Sequence, residues 1–268
     1  MTDAGGWREK VRPLTAAVGL TSSRFLWQSM ALRAYRAKLA RHSAYRTWVE
    51  TEASRWVAPH WGHGRVEDQF ETTHLASQLY EITELLRRRI GRTDGTSLLD
   101  AGASDGFFLA RIGVRAGVGV NLLMGCAQRI HSDGYPACAA DIEALPFADK
   151  SFDYVLCCET LEHVLSPIRT LNELARVCRK RICLTIPWLP RTRINARPDG
   201  WPEVESHVFE FSEADFAKVI SFARVRLVYR DRVQVFPRPR NPFVRWWLGR
   251  WMYPHYFPML QYYELEPA

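Results

Sequence analysis

The rhythm of apolar and polar positions changes about a third of the way along the chain. From Thr21 to about Trp56 the residues are rich in Ala, Leu, Arg and aromatics, with no Gly or Pro. That composition predicts one long helix or two shorter ones. Leu75, Leu79, Ile82, Leu86 and Ile90 then recur at steps of three and four, and Gly91 stands where a left-handed C-cap belongs, which predicts an amphipathic helix. From Ser97 short apolar runs (SLLDA, AGVGVN, FDYVLCC, RICLTI) alternate with helical stretches, the pattern of a parallel sheet wrapped by helices. One of those helices starts at Pro167. Ser166 is its expected cap, and Ile168, Leu171, Leu174, Ala175 and Cys178 form its expected buried stripe. Ser212 is the expected cap of a later helix, and the last two strands are expected from Arg224 to Phe236.

Composition narrows the class. With 268 residues, 47% hydrophobic and 24% charged, the chain suits one large α/β domain with terminal additions. The most apolar window, Gly113 to Ala127, is interrupted by Arg115 and Asn121, so no spanning helix is expected. The start, MTDAGGWREK, has no apolar core of a signal peptide, and the six cysteines include no CxxC pair. These features predict a cytoplasmic, reducing compartment and no metal site. The net charge of +7 is uneven. Residues 98 to 187 hold nine Lys/Arg against ten Asp/Glu, whereas residues 1 to 59 hold ten against four and residues 224 to 250 hold eight against one. The excess positive charge therefore sits outside the α/β part.

The chemistry concentrates in SLLDAGASDGFFLARIG, where the strand Leu98–Leu99 ends at Asp100 and enters a Gly102/Ala103/Ser104/Asp105/Gly106 turn before a helix. Such a turn, at the carboxyl end of the first strand of a doubly wound sheet, is where these folds bind nucleotides. The spacing is not GxGxxG and no Walker lysine follows, so neither a dinucleotide pyrophosphate nor a triphosphate is the natural guest. Asp100 and Asp105 would repel phosphate and accept a cationic ligand with an amino acid part.

On these residues the stretch Ser97 to Trp188 resembles the class I S-adenosylmethionine (SAM)-dependent methyltransferases, in particular the group acting on small molecules, lipids and sugars. Leu99, Asp100, Gly102 and Gly106 resemble the family's DxGxGxG turn, with Ser104 in place of the middle glycine. GVGVNL places Asn121 and Leu122 where the family holds the ribose, Asn121 replacing the usual acid. In ADIEALPFADKSFDYV the resemblance gives Asp141 to the adenine amino group and Ile142 to the ring face. CCETLEHV resembles the fourth strand and its loop, where Glu159 to His163 border the methionine end and the substrate mouth. The resemblance implies a Rossmann-like, seven-stranded, mostly parallel sheet at residues 93–236, a helical extension over 1–92, and an aromatic, basic tail over 237–268.

The implied reaction is transfer of the cofactor's sulfonium methyl, by in-line displacement, to a small-molecule, lipid or glycan acceptor. For a hydroxyl acceptor, His163 and His207 are the candidate bases. His60 and His63 are candidates only for a lid. Ten aromatics between Phe236 and Tyr263, interleaved with Arg238, Arg240, Arg245 and Arg250, suit either a membrane interface or packing on the N-terminal helices. Nucleic acid is disfavoured, because CCETLEHV is not the (D/N)PP(Y/F) signature of base methylation. Two alternatives stay open: a non-catalytic partner or scaffold with this fold, and a peripheral membrane protein acting through its tail.

Overall fold

The computed structural model describes residues 35–53, 69–91, 95–189, 191–194, 207–235, 241–243 and 259–268. Residues 35–41 are helical, and after a break at His42 the chain continues as α1 (Ser43–Trp48) and a π-type turn, Val49–Ala53. Within the described residues the expected N-terminal helix is thus two pieces. The helix carrying the stripe of Leu75 to Ile90 is α2 (Gln69–Ile90), followed by Gly91 at φ +72°.

Among the described residues nine strands follow in chain order: β1 (Ser97–Ala101), β2 (Ala116–Asn121), β3 (Ala137–Ala139), β4 (Phe152–Cys158), β5 (Cys178–Pro187), β6 (Arg193–Ile194), β7 (Phe209–Glu210), β8 (Val225–Gln234) and β9 (Met259–Pro267). Between them lie α3 (Phe107–Ile112), α4 (Met124–Ser132), α5 (Pro167–Val177) and α6 (Glu213–Phe222). Seven strands form one sheet in the order β3-β2-β1-β4-β5-β9-β8, while β6 and β7 make a small antiparallel pair. The pairs among β1 to β5 are parallel, and β9 runs antiparallel to both β5 and β8.

Because side chains alternate along a strand, successive residues feed opposite cores. Leu98, Leu156 and Tyr262 join α2 and α3 on one face, whereas Leu99, Val155 and Tyr263 join α5 and α6 on the other. Strands covered on both faces read as continuous apolar runs, which is why β1, β4 and β5 are visible in the sequence.

Three local expectations change. The last two strands do not both come from Arg224 to Phe236: that segment gives β8 alone, and the strand between β5 and β8 is β9, from the chain's last ten residues. Tyr262 and Tyr263, expected in a separate tail, are therefore sheet core. Most of the other tail aromatics, from Trp246 to Phe257, lie outside the described residues. Ser166 does occupy the N-cap of α5, but its hydroxyl makes no capping bond; its amide donates to Glu143 Oε1 at 2.9 Å and its carbonyl accepts from Thr170. Ile168 is exposed and Cys178 opens β5, so the buried stripe of α5 is Thr170, Leu171, Leu174, Ala175 and Val177. Ser212 caps α6 as expected, its Oγ accepting from Asp215 N–H at 3.2 Å.

Much of the basic charge on β8 is matched locally. Arg230 and Arg232 each meet Glu213 at 2.6 Å, and Arg226 pairs with Glu266. β8 is the edge of the sheet, and charge on an edge strand opposes pairing with another chain. Among the described residues no helix is long and apolar enough to cross a membrane.

Candidate active site

The strand order reverses between β1 and β4, since β2 and β3 lie to one side of β1 and the later strands to the other. A crevice opens beyond the carboxyl ends of the strands at such a point. Every expected cofactor residue lies at or just after one of these ends. Asp100 is the penultimate residue of β1; Gly102, Ser104 and Gly106 follow that strand; Asn121 ends β2 and Leu122 follows it; Asp141 and Ile142 follow β3; Glu159 follows β4.

The turn after β1 is held tightly. Gly102 and Ala103 N–H both donate to Val120 O, at 2.9 and 2.8 Å, which ties the turn to β2. Gly102 sits at φ +87°, and a Cβ there would come within 2.3 Å of the Thr160 side chain. Glycine is required for both reasons. Ser104, at φ +47°, also adopts the left-handed region, where only a few per cent of non-glycine residues are found. Asp105 Oδ1 accepts from Phe107 N–H at 3.3 Å at the start of α3.

Asp100 is 1% exposed, and its Oδ2 has no hydrogen-bond partner among the described residues. Burial, reinforced by the charge of Asp105, pushes its carboxyl up to about 7. Asn121 uses its Oδ1 to accept from Leu123 N–H at 2.9 Å. Its amide nitrogen is therefore the group it has to offer a ligand. Asp141 makes the same kind of turn, Oδ1 accepting from Glu143 N–H at 2.8 Å, while Ile142 is buried and Leu122 exposed.

After β4 the backbone turns sharply at Glu159, φ +50°, whose N–H donates to Thr185 O at 3.0 Å. Gln78 of α2 donates to Glu159 Oε2 at 3.2 Å, and burial pushes this carboxyl up to about 7. A 3-10 turn over Leu161–His163 follows. Here Glu162 is wholly buried, with no hydrogen-bond partner for either carboxylate oxygen among the described residues. Burial, with Glu159 and then Glu210 adding like charge, raises its pKa well above the carboxylate range. Val208 N–H donates to Glu162 O at 2.7 Å and so draws the β7 segment against the turn. That contact brings the two histidines together, their rings edge to face with centroids 4.8 Å apart. His207 Nδ1 lies 3.1 Å from Glu210 Oε1, and its Nε2 lies 4.0 Å from Glu162 Oε1. His60 and His63 fall outside the described residues.

Residues 99–183 match a family model described as a methyltransferase domain. That stretch is a methyltransferase domain, set in a sheet of the class I methyltransferase fold. A curated relative of this chain, the biotin biosynthesis bifunctional protein BioHC of Cellvibrio japonicus, is 24% identical over 66% of this chain and 41% of its own. The chain thus spans less than half the length of that relative. Among solved structures, the 1,6-didemethyltoxoflavin-N1-methyltransferase of Burkholderia thailandensis, with S-adenosylhomocysteine bound, is similar at TM-score 0.54 and 18% identity, covering 83% of this chain and 90% of that one. Magnesium protoporphyrin IX methyltransferase of Synechocystis PCC 6803, with SAM bound, is similar at TM-score 0.52 and 12% identity, covering 84% and 96%. The cyclase SpnF is similar at TM-score 0.55 and 15% identity, covering 77% and 86%. Likeness at these identities carries the fold, which a cyclase shares.

Sequence reasoning passes over Gln78 and Glu210 of the candidate site, and takes in Glu162 only within the stretch Glu159 to His163. Gln78 and Glu210 reach it through tertiary contact, Gln78 from a helix that is otherwise read by its apolar stripe. Glu162 alone had a local signal, as a carboxylate placed between Leu161 and His163.

Proposed function

We propose that the chain binds SAM beyond the carboxyl ends of β1, β2 and β4 and transfers its methyl group to an oxygen of a small-molecule acceptor. The observation that carries the reading is Asp100. It is a buried carboxylate with an unsatisfied oxygen, next to a glycine turn at the switch point of the sheet. An orphaned buried carboxylate has a cationic counterpart missing, and the ammonium and sulfonium of SAM supply that charge. The remaining donors fit as well. Asn121 offers an amide toward a ribose, Asp141 offers an acceptor toward an adenine amino group, and Ile142 and Leu122 offer apolar surface.

When bound, SAM supplies an electrophilic methyl group and a neutral thioether leaving group. The protein's part is alignment and exclusion of water. Glu159, fixed by Gln78 and Thr185, borders the methionine end. His163 and His207 meet the acceptor, and the cluster they form with Glu162 handles the proton that an acceptor hydroxyl gives up. The cofactors named in the two methyltransferase structures support the choice of SAM.

Calorimetric titration with SAM and S-adenosylhomocysteine tests the reading, with NADH as the control ligand. Saturable binding of both sulfur compounds, weakened in Asp100→Ala, is the expected result. A folded protein that binds neither would overturn it.

A further inference from the structure

We propose that Glu162, His163 and His207 form a binding site for one divalent first-row transition-metal ion at the acceptor mouth. Each of the three residues contributes a ligand atom, and these atoms all lie within 4.8 Å of one another. An ion about 2.0–2.2 Å from imidazole nitrogen and carboxylate oxygen sets its ligand atoms roughly 3–4 Å apart, so the trio closes on an ion with side-chain movements of less than about an ångström. Two imidazoles and a carboxylate form a donor set that suits Fe²⁺, Mn²⁺, Co²⁺ or Zn²⁺ and leaves positions open for another ligand.

Two further observations point to a cation. Glu162 is wholly buried, yet neither of its oxygens has a hydrogen-bond partner among the described residues. A buried carboxylate in that condition is costly unless a positive charge comes to it. The second observation is the Glu210 carboxylate, 3.1 Å from His207 Nδ1. A carboxylate accepting from Nδ1–H fixes the neutral ring with its lone pair on Nε2, the nitrogen that faces Glu162 at 4.0 Å. Carboxylates behind metal-binding imidazoles do this same work. The arrangement is also accessible, because His163 is exposed and His207 half-buried, so an ion can enter from solvent.

The existence of the site stands on these residues alone; its role rests on the methyltransferase reading. An acceptor hydroxyl that takes an open position on the ion loses its proton to water more readily. Its oxygen then forms the bond to the methyl carbon as the carbon–sulfur bond breaks, and that bond's electron pair stays on sulfur. In this arrangement the histidines act by holding the ion.

The test is metal binding by the intact chain after treatment with chelator and desalting, titrated with Mn²⁺, Co²⁺ and Zn²⁺ by calorimetry. The visible absorption of Co²⁺ reports imidazole coordination. One equivalent should bind per chain. Glu162→Gln, which keeps the shape and removes a charge, and His207→Ala should each weaken binding by about 100-fold or more, and Glu210→Gln by about 10-fold. His131→Ala, on α4, should leave it unchanged. Circular dichroism identifies folded variants. No saturable binding by the wild type, or equal affinity in Glu162→Gln and His207→Ala, would overturn the proposal and leave Glu162 and His207 as an ion pair. S-adenosylhomocysteine titrated into the metal-free protein tests the cofactor reading separately, so the two readings fail independently.

Discussion

Replacing Asp100 by Asn should make the ligand-free protein more stable at neutral pH and a poorer binder of SAM. The side chain is 1% exposed, in an inner strand of the sheet, with Oδ2 unsatisfied among the described residues. Burial and the charge of Asp105 push its pKa from an ordinary 3.8 to about 7. The folded protein therefore keeps this proton up to about pH 7, whereas the unfolded chain releases it near pH 4. Wherever the folded state binds more protons than the unfolded one, stability falls as pH rises. The loss runs through the window from about pH 4 to about pH 7 and amounts to about 4 kcal/mol, of which about 3 kcal/mol falls between pH 5 and pH 8. Asn cannot titrate. The stability of Asp100→Asn minus that of the wild type should thus grow by about 3 kcal/mol from pH 5 to pH 8, read from urea unfolding curves of equal slope. In melting temperature this is roughly 6–12 °C for a chain of this size. Parallel pH profiles for the two proteins would refute the reasoning, because they would mean that Asp100 titrates alike in folded and unfolded chains.

Binding should show the other side of the same charge. If a cationic cofactor draws Asp100 into its ionised form, binding releases a proton below about pH 7, and affinity rises with pH by up to about tenfold per unit until it levels off there. Titrations in buffers of different ionisation enthalpy measure that proton directly. The carboxylate would then be a group kept at a cost to stability for the sake of the ligand, a trade common at functional sites.

Other positions give sharper tests of single contacts. Gly102→Ala places a methyl within 2.3 Å of Thr160 at a φ of +87°, and should lower stability by about 3 kcal/mol in urea unfolding, with part restored by Thr160→Gly. Arg89→Ala removes the partner of Glu264, a nearly buried carboxylate to which Arg89 Nη2 donates at 2.9 Å while stacking on Tyr229 with its guanidinium carbon 3.9 Å from the ring centroid; a loss of about 2 kcal/mol is expected, reduced from that of a fully buried pair because Arg89 is 35% exposed. Asn121→Asp keeps one oxygen for Leu123 N–H and adds a charged acceptor for a ribose hydroxyl, so calorimetry should show SAM binding tighter by roughly five-fold.

What the sequence made legible follows from how far each feature depends on distant residues. β1, β2, β4 and β5 announce themselves because the sheet's inner strands are clothed on both sides and need apolar residues throughout. β9 does not. Its run MLQYYELEP mixes Gln261 and Glu264 among the aromatics, and these polar groups are buried only because Arg89, 175 residues away, meets Glu264, and Gln261 donates to Phe211 O. Nothing local distinguishes such a strand from an aromatic tail. The edge strand β8 carries a ten-residue run with a register irregularity between Leu227 and Tyr229, so a segment rich in Arg and Val suggested two strands where there is one.

The site divides in the same way. The turn from Asp100 to Gly106 is written in contiguous residues, since backbone geometry there requires glycine whatever lies around it. The cluster of Glu162, His163 and His207 is assembled by one long-range hydrogen bond, Val208 N–H to Glu162 O, across residues that share no motif. A histidine met in sequence suggests a base, and a glutamate beside it suggests a solvated loop. Only their meeting in space, with Glu162 buried beneath the two imidazoles, turns the three into a donor set. A carboxylate oxygen without a partner is tolerated in a folded chain when something else completes it, and among the described residues Asp100, before the turn after β1, and Glu162, in the turn after β4, each have such oxygens. In the two proposals a cationic cofactor matches Asp100 and a metal cation matches Glu162, which would divide the mouth of the site into a face for the methyl donor and a face for the acceptor.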